Sequence, residues 1–217
     1  MREEPYAVEG LPLNAINAGS SVLVAGPTHG GARTLALRLL AGTDEEGSIV
    51  VTTNQRASRF AGDCERAGIA LDPDRTAIID CVGGEDQDVP VRVMPVSGPS
   101  DLTGIGMRFS DVYRSFERSG VRGVRTGVCS LSTLVSFGSL QPVSRFVHTL
   151  VGRIGSVAGL GVFLVDPSIH DDRTVSTLSQ FCTGRIDVRE TDDGAELRAR
   201  GLSDQPREWV SFDPTLR

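Results

Sequence analysis

The 217-residue chain contains no lysine; all 22 of its Lys/Arg positions are arginine. That absence excludes a Schiff-base amine, a lysine general base and a flexible ammonium reaching into a ligand site. Cysteine is scarce. Cys64, Cys81, Cys129 and Cys182 are scattered without a C-x-x-C pair, so buried thiols are expected rather than a metal cluster or a disulfide framework. No apolar run approaches the 18 or more residues of a membrane span. The start, Met-Arg-Glu-Glu-Pro, lacks the basic and apolar regions of a signal peptide. A cytoplasmic protein without a membrane span is the expectation. Net charge is −6, which argues against nucleic acid as a partner. An acidic chain without lysine suits a salt-adapted organism, and a high-GC genome would favour Arg over Lys equally well.

What is present centres on Gly19–Gly42. A short apolar strand, Val22–Ala25, leads into a glycine-rich loop and then a helix with Leu35, Leu37, Leu39 and Leu40 on its apolar side. Strand, loop and helix in this order form the setting of a phosphate-binding P-loop, in which backbone N–H groups cradle phosphate oxygens. The pattern required is G-x-x-x-x-G-K-[ST]. Gly26 and Gly31 have the right spacing, but Ala32 stands at the Lys position and Arg33 at the Ser/Thr position. The candidate nucleotide loop is therefore Gly26, Thr28, His29, Gly30, Gly31, Ala32, Arg33 and Thr34, in degenerate form.

Further strands are expected at Ser48–Thr53, Thr76–Cys81, Arg125–Ser130 and Gly161–Asp166, with a minor one at Val91–Pro95. Helices are expected at Ala57–Ala67, from Asp101 to about Arg118, at Pro142–Ala158 and at Asp172–Cys182. Thr43–Gly47 reads as a polar turn and Gly83–Asp88 as a loop. Gly184–Glu190 and Ala195–Gly201 read as a hairpin around an Asp-Gly turn. Strands alternating with helices imply an α/β fold, doubly wound and mostly parallel, with helices on both faces and a C-terminal β-hairpin. Residues 1–18 form a lead-in from which Leu11–Leu13 can dock, 19–202 one domain, and 203–217 a tail. In that tail Trp209–Phe212 is either an edge strand or a partner-docking segment.

This order resembles the RecA-like ATPase fold, and within it the KaiC-like proteins, over about residues 10–202. Gly26–Leu37 is similar to a KaiC-like Walker A loop and helix. Cys129-Ser-Leu-Ser-Thr-Leu134 is similar to the D-S-L-S-x-L that follows the Walker B strand. Asp101–Gly106 and Glu190–Gly194 resemble a largely uncharacterised haloarchaeal branch, named RecA-superfamily ATPase or transducer-like. The resemblance implies ATP and Mg²⁺ held by a Walker A Lys and Ser/Thr and a Walker B Asp, with a carboxylate after the second strand activating water. In this chain those positions carry Ala32, Arg33, Cys129, and Thr53 with Asn54, so each departs from the pattern. No cofactor is expected. The leading expectation is a non-catalytic RecA/KaiC-like domain, a pseudo-ATPase in a regulatory, signalling or scaffolding role with a protein partner or a second copy. The alternative is a divergent ATPase in which Arg33 meets phosphates, Thr34 meets Mg²⁺, and Asp166, ending the fifth strand, substitutes at the metal. A DNA-binding recombinase-like module is a third class, disfavoured by charge.

The remaining polar candidates are weaker. His29 is an exposed loop residue unless phosphate comes to it, and His148 lies on the long helix. His170 with Asp166, Asp171 and Asp172 reads as a helix start, with Asp171 or Asp172 as its cap, rather than a metal site. Ser130 and Ser132 have no His–Asp partners that would make them nucleophiles.

Overall fold

The computed structural model describes residues 4–83, 89–192 and 194–215. Its strands are β1 (Ser21–Ala25), β2 (Glu46–Thr52), β3 (Thr76–Asp80), β4 (Arg92–Pro95), β5 (Gly123–Val128), β6 (Leu160–Val165), β7 (Gly184–Thr191), β8 (Gly194–Arg200) and β9 (Val210–Phe212). Its helices are α1 (Arg33–Leu40), α2 (Ala57–Arg66), α3 (Leu102–Arg118), α4 (Leu131–Phe137), α5 (Leu140–Ser156) and α6 (Asp172–Ser179). The nine strands form one sheet in the order β4-β3-β2-β5-β6-β1-β7-β8-β9. Strands β4 through β7 run parallel, and β8 and β9 are added antiparallel.

The central strands are buried on both faces because helices cover both. Leu35, Leu39, Phe60 and Cys64 of α1 and α2 join Val22, Val50 and Ile78 in one core. Phe109, Phe116, Val147 and Leu150 of α3 and α5 join Leu23, Ile49 and Phe163 in the other. The expected α/β architecture with its C-terminal hairpin is therefore present. Asp171 caps α6 as expected, accepting from the Thr174 N–H at 2.8 Å, and Asp101 caps α3 in the same way, accepting from the Gly104 N–H at 2.8 Å. The Gly83–Asp88 loop lies, beyond Gly83, outside the described residues, as does Asp193 of the hairpin turn.

Three segments differ from expectation. Helix α4 occupies Leu131–Phe137, where no element was anticipated; it is short and Ser-rich, and Ser130 caps it by accepting from Thr133 N–H at 3.1 Å. The polar turn Thr43–Gly47 ends early, because β2 begins at Glu46, which is 5 % exposed and pairs with Gly123. Glu46 tolerates that burial because Arg125, 1 % exposed, donates to its carboxylate at 2.7 Å. The lead-in docks mainly through Tyr6 and Ile16, with Leu13 also buried. The Tyr6 hydroxyl donates to the Ala158 carbonyl at 3.0 Å and accepts from the Val124 N–H at 3.2 Å.

Candidate functional site

The glycine-rich loop leaves β1 at the carboxyl end of the sheet, where ligands bind in open α/β folds. Pro27 is extended, and Thr28–Ala32 then wind as a π-helical turn that runs without a break into α1. The helix thus effectively begins at Thr28, and its first N–H groups form the partly positive end that attracts anions. An anion is already there. The Asp166 carboxylate accepts from the Thr28 N–H at 3.0 Å and from the Thr28 hydroxyl at 3.1 Å.

Asp166 follows β6, and β6 lies between β1 and β5, so the sheet order itself brings this residue to the loop. Its backbone N–H donates to the Ser132 hydroxyl on α4 at 3.0 Å, and its second carboxylate oxygen accepts from Ser168 N–H at 2.9 Å and Ser168 hydroxyl at 2.5 Å. Burial alone would raise its pKa. Hydrogen bonds from Ser168 and Thr28 outweigh that effect and hold the carboxyl below the usual carboxylate range. Its stabilising contribution is therefore complete above about pH 4, the unfolded value, and is lost as pH falls through the depressed folded value.

The other face of the loop is also covered. Gly31 has φ +85°, and a Cβ there would sit 2.8 Å from Pro214 Cβ and 3.2 Å from the Phe212 ring. The tail is held over α1 by Arg38, which donates to the carbonyls of Asp213 at 3.1 Å and Thr215 at 2.7 Å. Val210–Phe212 is thus an edge strand of its own sheet: β9 pairs with β8, Phe212 is buried, and Arg189 and Arg198 lie over the ring of the preceding Trp209. Replacing Gly31 with alanine is expected to cost about 1–3 kcal/mol, from the left-handed backbone and the overlap with Pro214. Urea denaturation measures this, and an unchanged midpoint would contradict the close packing of tail on loop.

Arg33 turns away from the loop. Its guanidinium donates to Asp63 at 2.6 Å and to Gln55 at 2.8 Å and lies over the Phe60 ring, all on the α2 side. Ala32 is fully buried and Thr34 nearly so. Cys129 is buried, and its thiol is pushed up to about 12 mainly by burial, with Asp63 adding to that and Arg33 opposing it. It is a neutral thiol at pH 7, unlike a metal-orienting carboxylate. The Thr53 hydroxyl donates to the Ser130 carbonyl at 3.3 Å, while Asn54 and His29 are exposed. His148 meets Phe181 edge-on at 5.3 Å. Among the described residues no three His, Cys, Asp or Glu side chains converge as a metal site, and no helix is long and apolar enough to cross a membrane.

Two residues to which the sequence reading gave no such role hold this end together. Asp80, 1 % exposed at the end of β3, accepts from the Ala57 N–H at 3.1 Å and the Val82 N–H at 2.7 Å. It thereby caps the start of α2 from a neighbouring strand. Ser132, weighed only as a nucleophile, positions Asp166 instead. The sequence signal for Asp80 is an aspartate closing an apolar strand, which does not reveal the helix it caps.

The profile of a family described as "Family of unknown function (DUF7504)" matches residues 19–188. No curated protein sequence matches the chain. Among 490 solved chains with a matching fold is the KaiC-like protein PH0186 from the hyperthermophilic archaeon Pyrococcus horikoshii OT3. It superposes with a TM-score of 0.66 over 96% of this chain and 92% of that one, at 14% identity. Identity at that level shows a RecA/KaiC-like fold and no more, and a fold shared so widely does not select an activity.

Proposed function

The chain belongs to the family of unknown function DUF7504, and we propose that it is a non-catalytic RecA/KaiC-like domain, a pseudo-ATPase with a regulatory, signalling or scaffolding role. The observation that carries this reading is the Asp166 carboxylate on the Thr28 N–H and hydroxyl. A nucleoside triphosphate brings roughly four negative charges, which a P-loop offsets with Lys, Mg²⁺ and N–H dipoles. Here the lysine is absent from the whole chain, the helix start is already occupied by the chain's own anion, and Arg33 is committed to Asp63. A phosphate approaching Thr28 would meet a like charge fixed by four hydrogen bonds.

Isothermal titration with Mg²⁺ and ATP tests this. The expected result is no saturable binding tighter than about 1 mM and no turnover. Sub-micromolar binding with hydrolysis would establish the divergent ATPase built on Arg33, Thr34 and Asp166. That alternative also requires Arg33→Ala and Asp166→Ala each to abolish nucleotide binding or turnover. A self-capped helix instead predicts that Asp166→Ala costs about 1 kcal/mol of stability and removes no activity.

A further inference from the structure

The helical layer opposite α1 carries a basic groove in an acidic chain. Helix α5 contains Arg145 and Arg153 and no Asp or Glu, in a chain whose net charge is −6. Between α3 and α5 runs a groove of about 520 Å³. Its apolar lining includes Leu102, Met107, Pro142 and Phe146, with Met107 63% exposed. Three arginines, Arg114, Arg145 and Arg153, line it against a single carboxylate, Asp111. Arg153 bridges the helices by donating to the Ser110 hydroxyl at 2.6 Å and the Gly106 carbonyl at 3.3 Å.

Six arginines outside the groove, Arg33, Arg66, Arg125, Arg185, Arg189 and Arg198, each hold a carboxylate. Among the described residues no carboxylate lies within 4.0 Å of Arg114 or Arg145. Gly106 adds to the access, since a Cβ there would meet nothing within 4 Å.

We propose that the α3–α5 groove docks an acidic amphipathic helix of a partner protein. The lining runs from Leu102 to Arg114 on α3 and from Pro142 to Arg153 on α5, a trough of about 18 Å, long enough for about three turns of a bound helix. Apolar side chains of that helix would cover Met107, Leu102 and Phe146, and its carboxylates would neutralise Arg114 and Arg145. A nucleic-acid backbone would match the arginines but leave the apolar floor uncovered. A second copy meeting this face symmetrically would set arginine against arginine. The proposal does not depend on whether residues 26–34 hold a nucleotide.

The probe is a labelled synthetic helix of about 16 residues, with leucines on one face and glutamates on the other, followed by fluorescence anisotropy on the whole chain. A twin with lysines in place of glutamates is the control. Saturable 1:1 binding of the acidic peptide is expected, at least tenfold tighter than the lysine twin. Arg114→Glu and Arg145→Glu should each weaken it about tenfold or more, and Met107→Asp should do the same, with unfolding midpoints unchanged because all three residues are exposed. No saturable binding up to about 1 mM, equal binding of both peptides, or wild-type affinity in the arginine variants would each overturn the proposal. So would tighter binding of duplex DNA lost in the same variants, or self-association abolished by Arg145→Glu.

Discussion

Replacing Arg125 with methionine is expected to lower the unfolding free energy by about 3–5 kcal/mol, through loss of one partner of a buried ion pair. The guanidinium touches three parts of the fold. It donates to Glu46 of β2 at 2.7 Å, to the Leu39 carbonyl near the end of α1 at 2.9 Å and to the Ala7 carbonyl of the lead-in at 2.8 Å. It also lies over the Tyr6 ring, 5.2 Å from its centroid. Both charged side chains are 1% exposed, so methionine would take the guanidinium away from a buried Glu46 carboxylate. In a chain of this size the loss corresponds to about 6–20 °C in Tm. Replacing Glu46 with glutamine as well should recover part of it, since the two residues share one interaction. Urea unfolding of both variants measures this. The deficit should change little between about 0.1 and 1 M salt, because buried pairs are weakly screened. A loss below about 1 kcal/mol would show that the pair contributes no more than one on the surface.

Restoring the missing lysine is expected to harm the protein rather than awaken it. Ala32 has no exposure, and the loop has closed around it: a Cβ on Gly26 would lie 3.1 Å from Ala32 Cβ and 2.8 Å from Val188. Ala32→Lys forces a long side chain and an ammonium into that space, at an expected cost of about 3 kcal/mol or more. Ala32→Met separates the two causes. It shares the overpacking, about 1–3 kcal/mol, but not the charge, so the difference between the variants isolates the cost of the ammonium. Neither variant, nor Ala32→Lys with Arg33→Thr, is expected to hydrolyse ATP, because Asp166 still caps Thr28 and Cys129 remains a neutral thiol. Turnover by the double variant in a coupled assay would show that the loop is only two side chains short of an ATPase, which the proposed role denies.

Much of the fold was legible because the central strands are apolar on both faces. Val22–Ala25, Ser48–Thr53 and Gly161–Asp166 announce themselves by composition alone. The hairpin followed from Asp-Gly between alternating strands, and the start of α6 from its capping aspartate. Helix α4 was missed because seven residues between a strand and a longer helix carry too little periodicity to stand out. Glu46 was read as turn because a charged residue inside a buried strand makes sense only beside Arg125, 79 positions away.

The sequence by itself determined what the site cannot contain. A chain without lysine has no ammonium to place at the loop, and Cys129, Thr53 and Asn54 stand where the resemblance calls for carboxylates. Only the tertiary structure decided what stands in their place. Asp166 and Thr28 are 138 residues apart, and they meet because parallel pairing sets β6 beside β1 with both carboxyl ends at the same edge. The tail reaches Gly31 for a similar reason, since β9 adds to β8 and directs Pro214 onto the loop. Local propensity encodes the strand and the helix, but sheet order selects which carboxylate caps that helix, and here it is the chain's own.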